Sequence, residues 1–591
     1  MIVPRALMRH ASAGLPLVPK RPMRRAQRGT IAPIVALFMT VVIASLGALD
    51  VGNAFFARRA LQRTADLAAL AAAQTMDDAC AKPTAIARAN AAANGFSTDA
   101  AGQSMSVVCG RWDTSANAAP SYFAATSAAT PLNAVQVTAT RSVPYFFLGP
   151  ARQMSASATA EATNLGAFTV GTTLAQLQGG LVGALLNALL GADVNVSVAS
   201  YESLANARVR MRDLMAAAGV GTVDQLLATQ VNVEQLARLM VTALSSTSIA
   251  DANLQTDVAT LQAIAGSSGA ANAVSFALGG EQGGHGVIAL GAADGQSALD
   301  ATISPFDALL VAAEIAKAGQ PPIDVATGLQ IAGFGATLKV QIVEPPVLAV
   351  GEAGVDSVKQ RWRTQASTAQ VRVYLDVTLG TPALPVIGGV LLHVPLSLEV
   401  APGTAWLQAT NCAATQAAST STIGVQPGLA NLCLGDPPTD LSASQPFSCT
   451  RPATLVNVAN VVTVTANAAL PAVVPPSSAT TLTFVGATPT DGAYQSANSN
   501  AVGGVLANGL DGLAASLAQP DALNVTLLGA LSLPVGPLVD ALLTVLTPAL
   551  GQLLSGFDAA VDPLLQLLGA QVGVATVHDL SLTCGVSKLV Y

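Results

Sequence analysis

Histidine, aromatic side chains and charge are all scarce in this sequence. Its 591 residues include four His, 4% Phe, Trp and Tyr, and 10% Asp, Glu, Lys and Arg. The strings H-E-x-x-H, G-x-S-x-G, Walker A and G-x-G-x-x-G are all missing. Their absence removes the zinc-protease helix, the serine-hydrolase elbow, the phosphate loop and the dinucleotide fingerprint from consideration. No C-x-x-C pair occurs, which argues against a thiolate metal site. Only one apolar run is long enough to cross a bilayer, whereas a multi-span transporter needs many stretches of about 20 apolar residues. Intrinsic disorder is excluded by a hydrophobic content of 51%. The expectation is a folded chain that is not an enzyme and uses no cofactor and no metal.

What charge there is lies unevenly. Arg5, Arg9, Lys20, Arg21, Arg24, Arg25 and Arg28 face a single acid, Asp50, in the first fifty residues. The remainder carries 20 Lys/Arg against 33 Asp/Glu. An acidic body does not suit nucleic-acid binding, so no nucleic-acid partner is expected. A basic tip suits a cytoplasmic tail beside a membrane helix.

That helix is Ile31–Leu49, a stretch without a charge. It corresponds to roughly 29 Å of α-helix, close to the thickness of a hydrocarbon core. Pro33 sits in its first turn, where a missing N–H costs little. Arg21, Arg24, Arg25 and Arg28 outnumber the more distant Arg58, Arg59 and Arg63, so the positive-inside rule orients the amino terminus inward and the large remainder outward. A cleaved leader, cut near Ser45-Leu46-Gly47-Ala48, is the competing reading, although the run is long for one. Both readings export the body.

The next residues read DVGNAFFARRALQRTADLAALAAA. On a helical wheel Arg58, Arg59, Gln62, Arg63 and Asp66 share one arc, and Ala54, Ala57, Leu61, Ala65 and Ala68 share the other. Gly47 and Gly52 are the weak helix formers, at about 1 kcal/mol each. The span and this segment therefore read as one long helix whose second half presents a small-residue face. A kink at Gly52 is the alternative.

The stretch resembles the amino-terminal module of TadE/TadG-like Flp pilus-assembly proteins. The likeness is carried by Arg28-Gly29, Asp50-Val51-Gly52, Arg58-Arg59, Leu61-Gln62 and Ala65-Asp66-Leu67-Ala68-Ala69-Leu70-Ala71. It continues more loosely through NAVQVTATRSVPYFFLG and SASATAEA. The resemblance implies a bacterial inner-membrane protein with one span, a cytoplasmic amino terminus and a periplasmic body. Other pilus-assembly proteins would be its partners, and the small-residue face would offer a route to self-association. Some relatives carry a von Willebrand A domain, whose metal motif Asp-x-Ser-x-Ser is matched by Asp440-Leu441-Ser442-Ala443-Ser444; LGDPPT precedes it where a strand should be, so no metal site is expected there. The position five residues after Gly29 is Ile34 rather than Glu, which argues against prepilin cleavage.

The fold class expected is α+β. A basic tail (1–30) and the transmembrane helix (31–49) lead into a pilin-like module (50–165) of helix and small antiparallel sheet, followed by a large periplasmic region (166–591). Ser104–Arg111, Ala134–Arg141 and Met154–Ala162 alternate as half-buried strands, with the rest of 82–165 in short strands and loops. Beyond, Leu174–Leu190, Glu202–Ala218, Val223–Ala228, Val233–Ser245 and Leu254–Ala265 read as helices, and Ala192–Ala199 as a strand. Gly266–Gly286 reads mainly as a loop. Val371–Val377, Val390–Val400, Thr404–Thr410 and Leu455–Thr465 read as strands, the second placed at a sheet edge by Pro395. Asn411–Pro452 reads as a loop, and Ala501–Leu568 as Leu-rich helices whose acids and prolines disfavour a second span.

All six cysteines, Cys80, Cys109, Cys412, Cys433, Cys449 and Cys584, lie beyond the span. An even number in an exported chain points to disulfides. Cys80 and Cys109 would join the end of the long helix to a strand. Three pairings are open to the other four; Cys412 and Cys584 both end alternating strands, which favours their pairing and leaves Cys433 with Cys449. His393 and His578 fall in strand patterns and read as structural. Trp112, Trp362 and Trp406 read as core or sheet-edge residues.

Overall fold

Ile31 opens a single 43-residue helix, α1 (Ile31–Ala73), in a computed structural model. The described residues run from Ile31 to Tyr591 with gaps, the larger at 126–131, 172–179, 191–195, 267–272, 281–285, 381–390 and 487–493 and over most of 499–573; residues 1–30 are not described. Neither Gly47 nor Gly52 breaks α1. Its first half is bare of protein contact and exposes Ile31, Ile34, Leu37, Phe38 and Ile43. Among the described residues α1 is the one helix long and apolar enough to cross a membrane. Thr40 and Ser45 return their hydroxyls to carbonyls three or four residues earlier, so the bare half presents no unsatisfied hydroxyl.

The second half of α1 is buried along Leu61, Ala65, Ala68, Ala69 and Ala72. This face lies on an antiparallel sheet that includes β1 (Gln103–Trp112), β2 (Phe123–Ala125), β3 (Ala134–Val143) and β4 (Arg152–Glu161), in the order β2-β1-β3-β4. Val135, Val137, Ala139, Ala156, Ala158 and Ala160 form the other side of the contact. Alanine on both surfaces lets helix and sheet approach closely. A fifth strand, Lys588–Leu589, closes the β4 edge from the far end of the chain.

One element here departs from the sequence reading. Ala81–Ala93, expected as strand or loop, is a helix, α2, packed on α1 through Ala87 and Ala91. Its alanine-rich composition gives strong helix propensity without a hydrophobic period to reveal it, and Pro83 falls in the first turn.

The chain then enters a seven-stranded mixed sheet through β5 (Leu165–Val170). β5 lies between Val574–Thr583 and Leu348–Gly351; Gly286–Gly291 and Phe276–Gly279 continue the sheet in parallel with the latter. Helices Gly180–Leu190, Val198–Asn206, Met211–Ala218, Val223–Ala228, Val233–Ser246 and Leu254–Gly266 share one apolar core with Pro305–Lys317, a helix buried along nearly its whole length. A six-stranded antiparallel sheet follows, in the order Ile323–Ile331, Phe334–Glu344, Gln370–Gly380, Leu391–Val400, Ala430–Leu434 and Leu470–Val474. The fold is α+β.

Several local expectations for the body are corrected. Val198 and Ala199 start a helix rather than end a strand, because Ser197 caps it by accepting from the Ser200 amide at 3.2 Å. The helix expected over Glu202–Ala218 is cut at residues 207–210, where buried Arg208 turns its guanidinium onto the carbonyls of Ala205 and Ala207. The loop expected over Gly266–Gly286 contains the strand Phe276–Gly279, and Asn411–Pro452 contains Thr420–Gln426 and Ala430–Leu434. Leu455–Thr465 is a hairpin, Thr454–Val458 paired with Val462–Ala466. Pro395 lies in an inner strand, not at an edge: pairing with Ala430–Leu434 runs out at Leu396, and the Pro395 carbonyl accepts the amide of Gly435 just beyond. Its missing N–H thus falls where the ladder ends. The helices expected over Ala501–Leu568 lie almost wholly outside the described residues.

Candidate functional site

The region that joins the bare helix to the folded body is organised by Asp50. This residue follows the charge-free run directly and is wholly buried. A carboxylate in such a place needs hydrogen-bond donors. They come from the tip between β3 and β4: the Phe146 amide donates to Asp50 Oδ1 at 2.8 Å and the Phe147 amide to Oδ2 at 2.9 Å. One turn on, Asn53 Nδ2 donates to the Pro144 carbonyl at 3.2 Å. Farther along α1, Gln62 Nε2 donates to the Ser157 carbonyl of β4 at 3.1 Å and to Asp66 Oδ1 at 2.8 Å. Helix and hairpin are thus hydrogen-bonded at Asp50, Asn53 and Gln62.

The remaining motif residues take distinct places. Gly29 lies outside the described residues. Leu49 and Val51 are exposed beside Asp50, and Gly52 has open space where a Cβ would stand. Arg58 and Arg59 are exposed, with the Arg59 guanidinium 5.9 Å from the centre of the Phe55 ring. Leu61 and Ala65 belong to the face packed on the sheet. From Leu61 onward that small-residue face is covered by the protein's own strands, while Ala54 and Ala57 remain half-buried. Sequence reasoning missed Asn53, Phe146 and Phe147. The one signal available was the apolar PYFF directly after an alternating strand.

The disulfides are Cys80–Cys109, Cys412–Cys584 and Cys433–Cys449. The first ties the start of α2 to β1. The second joins the end of Thr404–Asn411 to the end of Val574–Thr583.

A concentrated polar group in the body surrounds His578. His578 Nδ1 lies 2.8 Å from Asp307 Oδ2, and His578 Nε2 lies 3.1 Å from Arg208 Nη2. A guanidinium only donates, so Nε2 accepts and Nδ1 carries the proton toward Asp307; this tautomer is assigned from the partners. The Tyr494 ring stacks on the imidazole with centroids 3.9 Å apart. Burial holds His578 below the ordinary histidine range, against the opposing pull of Asp307. The same burial raises Asp579 to about 6 although Ser421 Oγ donates to it at 2.9 Å. Both imidazole nitrogens are occupied by charged partners, which fixes the ring within the core. His393 is half exposed on its strand, 3.6 Å from Asp376. Trp362 and Trp406 stack at 5.6 Å, and Trp112 meets Tyr122 edge-on.

Among the described residues no three His, Cys, Asp or Glu side chains gather as metal ligands. Asp440 accepts the Ser442 amide at 2.9 Å, and the Ser442 and Ser444 hydroxyls meet at 2.8 Å. The Asp-x-Ser-x-Ser string thus closes on itself as a turn.

Residues 29–75 match the Flp pilus-assembly TadE/G-like family, and residues 71–163 match the Tad-like Flp pilus-assembly family. Residues 178–314 match a domain of unknown function, DUF8293. No curated protein and no solved structure matches the chain.

Proposed function

From the match of residues 29–75 to the TadE/G-like family and of residues 71–163 to the Tad-like Flp pilus-assembly family, we propose that this chain is a single-span, non-catalytic component of a Tad-type pilus or secretion apparatus. The amino terminus is cytoplasmic, α1 crosses the bacterial inner membrane, and the disulfide-bridged body stands in the periplasm. Its task is to hold that body at a fixed place on the membrane for other assembly proteins to engage. The observation that carries this reading is the Asp50 clamp. An anchor on a flexible tether would not need its last apolar turn hydrogen-bonded to the body. An anchor that transmits position or force does.

A reporter of periplasmic location fused after Leu165, together with the mass of the mature amino terminus, tests the topology. Deletion of the gene with loss of piliation tests the role, and a neighbouring set of genes for a secretion ATPase and a prepilin peptidase would agree with it. Normal pili with altered surface adhesion would point instead to an envelope binding module that shares only the anchor. A hydrolytic activity of the purified chain abolished by His393→Ala would overturn the non-catalytic role.

A further inference from the structure

The charge-free run ends at Leu49, but the exposed charge-free surface of α1 does not. Asp50 is the only ionisable residue between Ile31 and Arg58, and its carboxylate is turned inward and satisfied. From Ile31 to Arg58 the helix rises roughly 40 Å. That exceeds a hydrocarbon core of about 30 Å and approaches the full bilayer of about 40–45 Å with its headgroups. The extra two turns expose Val51, Phe55 at 60% and Phe56 at 72%.

The β3–β4 tip stands at the same level, because Asp50 holds it there. It exposes Phe146 at 66% and Phe147 at 54%. These rings have their centroids 6.4 Å apart. A strand connection normally stays out of an apolar zone because its amides need partners. Here the amides of Phe146 and Phe147 are the very ones that Asp50 receives. Exposed arginines follow on every element just above: Arg58, Arg59 and Arg63 on α1, Arg141 on β3 and Arg152 on β4. The order is apolar helix, aromatic ring, then cations, which is the order of acyl chain, interface and phosphate in a leaflet.

We propose that Phe146 and Phe147 at the β3–β4 tip, with Phe55 and Phe56, insert into the outward leaflet as a second membrane contact, and that the arginines above them meet lipid phosphates. The module then sits in the bilayer surface rather than above it. The proposal rests on the reading of α1 as a span, and the test keeps the two apart.

The full chain carrying Phe146→Trp is reconstituted in phosphatidylcholine vesicles containing phosphatidylglycerol, and its fluorescence is compared with that of the parent chain. The added component is expected to be blue-shifted and to lose more than half its intensity when the lipid carries bromines on the upper acyl-chain carbons. Phe56→Trp, on an exposed helix position that tolerates change, is expected to behave in the same way. A chain that stays in the vesicles through carbonate extraction while both added tryptophans emit as in water, unquenched by bromine, overturns the insertion and leaves the anchor standing. A chain released by carbonate overturns the anchor and the insertion together.

Discussion

Arg111 of β1 reaches out of its own sheet and holds Glu352 at 2.6 Å, with both side chains buried. The same guanidinium lies 3.4 Å from Asp113. This ion pair links the amino-terminal module to the body, and its partners are 241 positions apart in sequence. Removing one member of a buried pair strands the other, at a cost of about 3–5 kcal/mol. Arg111→Met is expected to destabilise the chain by up to that much, since Asp113 and Glu352 then keep Arg363 as their neighbouring cation but lose the buried guanidinium between them. Glu352→Gln leaves Arg111 with Asp113 and loses less. Urea unfolding of the full chain in detergent measures both; equal losses would contradict the shared role of Arg111.

Asp50→Ala removes two charge-assisted hydrogen bonds, each contributing about 1.5–3 kcal/mol. The consequence is local. Amide exchange at Phe146 and Phe147 should accelerate by about 30-fold or more, a factor equivalent to roughly 2 kcal/mol. Exchange at Val137 in the middle of β3 should hold. Unchanged rates at both phenylalanines would show that the clamp is not what protects them.

The three bridges close loops of very different length. Cys412–Cys584 spans 172 positions and Cys433–Cys449 spans 16. On the chain-entropy account the long loop contributes about 5 kcal/mol and the short one about 3 kcal/mol. The double Ser variant at 412 and 584 should therefore melt below the double Ser variant at 433 and 449. Thermal unfolding followed by circular dichroism ranks them, and the reverse order would rule out loop entropy as the main term.

Two buried groups set opposite pH limits. Burial lowers His578 in the folded chain, so stability is complete above its ordinary value of 6.5 and falls as the pH drops below it. Burial raises Glu314, whose carboxyl oxygens have no hydrogen-bond partner among the described residues. Its contribution is complete below 4.5 and is lost as the pH rises from there toward the raised folded value. Glu314→Gln should reduce the loss on the alkaline side, leaving the share that Asp579, raised to about 6 by burial, contributes between 3.8 and 6, and leave the acid side as it was. Melting temperatures from pH 5 to pH 9, taken as approximate bounds around the range of greatest stability, check the sign; a variant that loses stability in parallel with the parent would show that Glu314 does not titrate on unfolding.

The helix α1 was legible because a charge-free run and an alanine period are local facts. So were Val223–Ala228 and Val233–Ser246, where Thr222 and Asn232 supply side-chain caps in front of an apolar period. The purpose of Asp50 was not, since its partners are backbone amides 96 and 97 positions away and carry no residue identity. Arg208 was illegible for a related reason. Nothing near it in sequence announces that it will leave a helix to reach His578, 370 positions on. Ala81–Ala93 failed on pattern, because a helix built of alanine has propensity but no stripe. The small-residue face of α1 was read correctly as a contact surface, yet periodicity alone could not tell whether the contact was with another molecule or with strands sixty to a hundred residues later.

The strand Lys588–Leu589 lies on β4, about 430 residues after the strand it covers. Synthesis at about 5–20 residues per second puts roughly 20–90 s between the two. Throughout that interval the first module already has its helix and four strands, while one rim of its sheet still offers unpaired backbone. Completion of this sheet thus waits on a strand made hundreds of residues later, and a chain halted between them keeps an open β4 rim on which another strand could add.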